Sequence, residues 1–96
     1  MENKVWEILT EILEDYNQGV EKDEELKIEK SAVLFGDGSS VDSMALVNIV
    51  LNFEDNLNDE FSTDISLSDD NALNQSTSPY STIGAIYDYA IKVLKA

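Results

Sequence analysis

The chain has 96 residues and a formal net charge of −14, because 20 Asp and Glu oppose six Lys, and it contains no Arg, His or Cys. This length fits one small domain spanning residues 1–96, and a hydrophobic fraction of 43% is enough for a packed core. The charge excludes nucleic acid and anionic membrane surfaces as partners. Without imidazole or thiolate groups, we expect no metal site and no enzymatic activity of the chain's own.

The first residues lack a basic region followed by an apolar run, and no segment approaches 18 consecutive apolar residues. We therefore expect neither a signal peptide nor a membrane span, and a cytoplasmic, monomeric protein. No lysine lies between residues 31 and 91. A surface this acidic favours protein partners that present Lys and Arg patches.

The first predicted helix has apolar residues at the spacing i, i+3, i+4, i+7, which is one face of an α-helix. Asn17 and Gly19 are typical stop signals, while Trp6 lies off the apolar face. Residues 19 to about 41 form a long connection, which its apolar side chains should hold across the bundle. The helical face comprises Val5, Ile8, Leu9, Ile12, Leu13 and Tyr16.

The second predicted helix runs from Ser43 to about Leu57 and is unusually apolar. Its apolar stripe is wide enough for the helix to be central in a bundle, or for part of the helix to face partners or an apolar ligand. We expect four of its residues to belong to the core rather than to a ligand site: Leu46, Val47, Val50 and Phe53.

Residues 58 to 67 are predicted to form a polar loop, which Phe61, Ile65 and Leu67 anchor to the core. A short third helix is predicted at residues 68–75, which begin with a capping serine but need tertiary support. A turn at residues 78–82 precedes the last helix. Its apolar face is made of Ile83, Ile86, Tyr87, Ala90, Ile91 and Leu94. The pattern as a whole predicts an all-α fold.

A Gly-rich loop delivers the pair Asp42-Ser43 to the start of the second helix. Helix N-termini have free backbone N–H groups and a partial positive charge, so a phosphate esterified to Ser43 would lie in a favourable field. The plain alternative is that both residues are helix caps. Asp42 suits the capping role better, which leaves Ser43 available.

The segment from Leu34 to Val47 closely resembles the attachment segment of acyl carrier proteins. The resemblance implies that Ser43 carries a 4′-phosphopantetheine arm donated by coenzyme A, whose thiol holds acyl groups as thioesters, with Asp42 and Met44 beside it. It also implies an acyl-carrier-like bundle of three main helices and one short helix, with a long loop between the first two. This order of helices matches the predicted elements.

The resemblance further implies partners: a phosphopantetheinyl transferase that modifies Ser43, and acyl-activating, acyl-transferring and condensing enzymes. The acidic residues that follow the apolar part of the second helix resemble the family's recognition surface, although a solvated face explains them equally well. Residues 55–60 fail as a calcium loop, because apolar Leu57 occupies a ligand position. The implied partner surface comprises Asp42, Met44, Val47, Glu54 and Asp55.

Fatty-acid carriers commonly have carboxylates at the positions of Ala45 and Asn48. Their absence favours a specialised biosynthetic pathway over a housekeeping role in fatty-acid synthesis. A peptidyl or aminoacyl carrier is a further alternative, although those relatives more often have His before the serine. An unmodified acidic helical adaptor that binds basic partners is the alternative from another class.

Overall fold

A computed structural model describes residues 2–35, 41–67 and 80–95. Three α-helices follow one another in these ranges: α1 (Glu2–Gln18), α2 (Ser43–Phe61) and α3 (Ile83–Lys95), with a single 3-10 turn at Lys22–Glu24. The predicted all-α class is confirmed for the described ranges. The short helix predicted at residues 68–75 lies outside them. No described helix is long and apolar enough to cross a membrane.

The core lies where α1 packs against both α2 and α3. Lys4, near the start of α1, pairs with Glu60, near the end of α2, at 3.5 Å. Tyr16 and Ala45, at the opposite ends of these helices, line one groove, so the two helices run antiparallel. The predicted apolar faces of α1 and α3 are confirmed, since most of their residues are buried and the rest are partly buried. The side chains with no exposed surface include Val5, Leu9, Leu13, Phe53, Leu57, Ile83 and Ile86.

The α2 helix is longer than predicted, because it continues past Leu57 to Phe61. Phe61 follows Leu57 by one helical turn and packs partly buried against the core, so burial extends the helix through a polar stretch. The helix ends at Ser62, whose backbone is left-handed with φ 53°. Its N–H and that of Thr63 both reach the Asn58 carbonyl, which is a common way to close a helix.

The core prediction for α2 is confirmed for Leu46, Val50 and Phe53 and wrong for Val47, whose side chain is 44% exposed. Hydrophobic periodicity identifies the apolar positions but not the width of the face that neighbouring elements cover. Val47 shares a face with Leu51, which is 40% exposed. This apolar face of α2 is therefore open.

The described part of the long connection, residues 19–35, lies across the bundle as predicted. Leu34 is fully buried, and Leu26, Ile28 and Phe35 pack partly buried against the core, although Val33 is exposed. Its last described part pairs with the start of α3 through a bridge between Val33 and Thr82. Three backbone hydrogen bonds of 2.9 to 3.1 Å fix this pairing, from Leu34 to Ser81, from Ile83 to Ala32 and from Gly84 to Lys30.

Trp6 is packed into the fold, although its position off the apolar face of α1 suggested no role. Its ring meets the ring of Tyr87 edge to face, with centroids 5.5 Å apart. The Lys30 ammonium lies 4.6 Å from the Tyr87 centroid and 5.6 Å from that of Trp6. Cation–π attraction therefore joins the connection to α1 and α3 at one point.

Candidate functional site

The start of α2 is closed by Asp42, as predicted. Asp42 has extended backbone, its carboxylate accepts a 2.8 Å hydrogen bond from the Ala45 N–H, and its carbonyl accepts one of 2.9 Å from the Leu46 N–H. This is the geometry of an N-cap. Ser43 is consequently the first residue of the helix. The glycines of the preceding loop, Gly36 and Gly38, lie outside the described residues.

This helix start suits a phosphate ester on Ser43. The α2 helix is 19 residues long and has no acidic residue in its first turn, although the Asp42 carboxylate at the cap offsets part of the positive end of its dipole. The Met44 N–H has no hydrogen-bond acceptor among the described residues. The backbone therefore provides a hydrogen-bond donor for a phosphate in a region where the sequence provides no lysine.

An exposed apolar stripe runs along α2 directly from this start. It consists of Met44, Val47 and Leu51, which are 75%, 44% and 40% exposed, and their spacing of three and four residues places them on one helical face. Met44 and Val47 are two of the predicted partner residues. Exposed apolar side chains gathered on one face are typical of a protein interaction surface.

The acidic members of the predicted partner surface differ in their surroundings. Asp55 is exposed and follows Leu51 by one helical turn, so it flanks the exposed stripe. Glu54 is half-buried, and its carboxylate accepts a 2.6 Å hydrogen bond from the Leu67 N–H. The Tyr80 hydroxyl donates to the carbonyl of the same Leu67. Glu54 therefore anchors the segment after α2, a role that sequence reasoning missed.

A groove of about 650 Å³ lies between α1 and α2, beside the exposed stripe. Ala45 and Asn48, the positions at which the sequence departs from fatty-acid carriers, line this groove. The α2 wall continues with Asn52 and Asn56, so amide side chains recur at intervals of four residues. This spacing of asparagines is visible in the sequence, but the sequence prediction of the site did not include it. The remaining lining residues are Ile12, Asp15, Tyr16, Gly19, Val20 and Ile49.

The described residues contain no group of three Asp, Glu, His or Cys side chains placed to hold a metal ion. The α2 start offers backbone N–H groups, a capping carboxylate and apolar side chains. A serine needs a neighbouring base to become a strong nucleophile, and the chain has no His.

Comparisons of the chain with models of protein families, with curated proteins and with solved structures gave no match.

Proposed function

We propose that this chain is an acyl carrier protein, whose Ser43 holds a 4′-phosphopantetheine arm and which presents acyl intermediates to separate enzymes. The arm supplies a thiol on which acyl groups are held as thioesters. The observation that carries the proposal is the cap of α2. Asp42 closes the helix and makes Ser43 its first residue. Ser43 is followed by the Met44 N–H, which has no acceptor in the part of the chain that the structure describes, and by an exposed apolar face.

The chain's own residues hold the helix start that carries the modified serine. The α2 helix is fixed against the core by Leu46 and Val50, which are 5% and 2% exposed, so its start is a rigid platform. Val41, which is 4% exposed, packs in the core and fixes the chain just before the cap. The chain has no His that could activate the Ser43 hydroxyl, which fits a requirement for a separate phosphopantetheinyl transferase.

The exposed stripe is the proposed docking surface for this transferase and for acyl-activating, acyl-transferring and condensing enzymes. Its apolar side chains would provide buried contact area, and Asp42 and Asp55 at its ends would attract basic residues of the partner. Ala45 and Asn48 lie on the neighbouring groove wall and add no negative charge near the start of α2. This favours a specialised pathway over fatty-acid synthesis, because charge complementarity governs partner choice.

The attachment site is tested by incubating the apo protein with coenzyme A, Mg²⁺ and a broad-specificity transferase. Intact mass should increase by one arm in the wild type and remain unchanged in Ser43→Ala. The control variant Ser40→Ala, which replaces a nearby serine, should gain the arm as the wild type does. A wild type that gains no mass overturns the proposal and favours an unmodified acidic adaptor, and a normal gain in Ser43→Ala overturns the assignment of the site.

The docking surface is tested with two valines of equal exposure. Val47→Ser removes an apolar side chain from the exposed stripe, whereas Val33→Ser removes one from the connection; the two side chains are 44% and 43% exposed. If partial burial of Val47 contributes about 1 kcal/mol, kcat/KM of the transferase should fall about fivefold for Val47→Ser only. Equal kcat/KM values for the two variants would contradict docking on the stripe.

A further inference from the structure

We propose that Asn48 and Asn52 hold the pantetheine part of the arm in the groove between α1 and α2. This inference rests on the proposed function, since it requires an arm on Ser43. It assigns a resting place on the groove side of α2, distinct from the exposed stripe that faces partners.

The groove begins within one helical turn of the tether at Ser43. Its α2 wall extends from Ala45 to Asn56, a separation of eleven residues or about 16 Å along the helix. Ala45 follows Ser43 by two residues, which is about 200° around the helix, so the arm must cross the first turn of α2 before it lies along this wall. The volume of about 650 Å³ lies within the usual range for sites that bind small organic ligands.

The chemistry of the groove suits pantetheine better than a plain hydrocarbon chain. Pantetheine contains two amide groups and a hydroxyl, joined by short apolar segments. A primary amide side chain both donates and accepts hydrogen bonds, so it can pair with an amide in either orientation. Ile12 and Ile49 line the groove as well, together with Asp15 and Tyr16.

Two of the three amides on the α2 wall are free to bind. The Asn48 and Asn52 side chains are exposed and have no hydrogen-bond partner among the described residues. Asn56 instead donates through Nδ2 to the Asn52 carbonyl at 2.7 Å, so one of its donors is already engaged. Asn48 and Asn52 lie one helical turn apart on the same face, which presents two amides in a row to an extended arm.

The first test records spectra of the ¹⁵N-labelled protein before and after modification. The side-chain amide signals of Asn48 and Asn52 should shift on conversion to the holo form, and Ser43→Ala treated identically should show no shifts. Shifts confined to the first turn of α2, or concentrated on Met44, Val47 and Leu51, would overturn the inference while the mass gain still supports the proposed function. If the wild type gains no mass, both this inference and the proposed function are overturned.

The second test uses thiol reactivity. The chain has no Cys, so the arm provides the only thiol of the holo protein. Its reaction with a chromogenic disulfide should become at least threefold faster in the double variant Asn48→Ala, Asn52→Ala, because the arm is released from the groove. Asn3→Ala, an exposed asparagine at the start of α1, is the matched control and should react at the wild-type rate. Equal rates in all three proteins would contradict the inference.

Discussion

Two asparagines perform the same task at the ends of α1 and α2. Asn17 donates to the Leu26 carbonyl at 2.9 Å and accepts from the Leu26 N–H at 2.7 Å. Asn58 likewise donates to the Ile65 carbonyl at 3.1 Å and accepts from its N–H at 2.8 Å. Each side chain satisfies both backbone groups of one residue, and so fixes the direction in which the chain leaves the helix.

Replacement of Asn17 should therefore be costly. Asn17→Ala leaves the partly buried N–H and carbonyl of Leu26 without these partners, and we expect the free energy of unfolding to fall by about 1–3 kcal/mol. The exposed Asn3→Ala should change it by less than about 0.5 kcal/mol. Urea unfolding of both variants provides the comparison, and similar midpoints would show that the Asn17 hydrogen bonds do not stabilise the connection.

The site residues differ in how far the sequence could predict them. Asp42 was correctly predicted as the cap, because a cap depends only on the residues that follow it within one turn. The role of Glu54 could not be predicted, since its partner Leu67 is 13 residues away and their meeting depends on the path of the chain after α2. Ser43 was selected from local pattern and resemblance, and its modification stays a prediction.

At the scale of elements, the connection and α3 are locked together by close backbone contact. A Cβ atom at Gly84 would lie 2.8 Å from the Lys30 carbonyl oxygen, which is the same oxygen that accepts the Gly84 N–H. Glycine is therefore required here by the approach of another backbone rather than by its own conformational freedom. A larger residue would push the connection away from the start of α3.

Gly84→Ala should destabilise the protein although alanine is the better helix former. We expect a net loss of about 1–3 kcal/mol, because the backbone clash outweighs a propensity gain of about 1 kcal/mol. Gly19→Ala is the control, since a Cβ there would meet only the Tyr16 carbonyl oxygen at an ordinary 3.7 Å. Thermal unfolding should show a lower Tm for Gly84→Ala alone, and a Tm equal to that of Gly19→Ala would refute the clash.

The helices themselves were predictable, and their surroundings were not. Periodicity located α1, α2 and α3 because a helix that packs on one side must repeat its apolar residues. It could not fix the end of α2, where burial of Phe61 carries the helix through polar residues. Nor could it separate buried Val50 from exposed Val47, since that difference depends on which neighbouring elements cover each face.

At the scale of the whole molecule, a net charge of −14 is distributed over 96 residues with few compensating contacts. The ion pairs within the described ranges join Lys4 to Glu7 and Glu60, Lys27 to Glu29 and Lys95 to Glu2, and their side chains are 43% to 82% exposed. Exposed pairs contribute little to stability, typically about 0–1 kcal/mol each. Repulsion among the carboxylates should therefore destabilise the folded chain.

Salt should consequently raise the thermal midpoint. Screening that recovers about 1 kcal/mol would increase Tm by about 4–8 °C in a domain of this size. The double variant Glu11→Gln, Glu14→Gln removes two exposed charges, so it should have a higher Tm at low salt and a smaller rise of Tm with salt. Lys22→Gln should have a lower Tm at low salt and a larger rise of Tm with salt. Thermal scans from low to physiological ionic strength measure both effects. A midpoint that is unchanged or falls with salt would show that self-repulsion does not limit stability.

The contact of Trp6 with Lys30 and Tyr87 gives the protein a built-in optical reporter. Trp6 is the sole tryptophan, and its indole lies where α1, the connection and α3 meet. Release of the connection would hydrate the ring and move its emission to longer wavelengths. The adjacent turn of α1 pairs with the end of α2 through Lys4 and Glu60, about 25 Å along that helix from Ser43. Unlabelled protein can thus report loosening of the connection separately from chemistry at the serine.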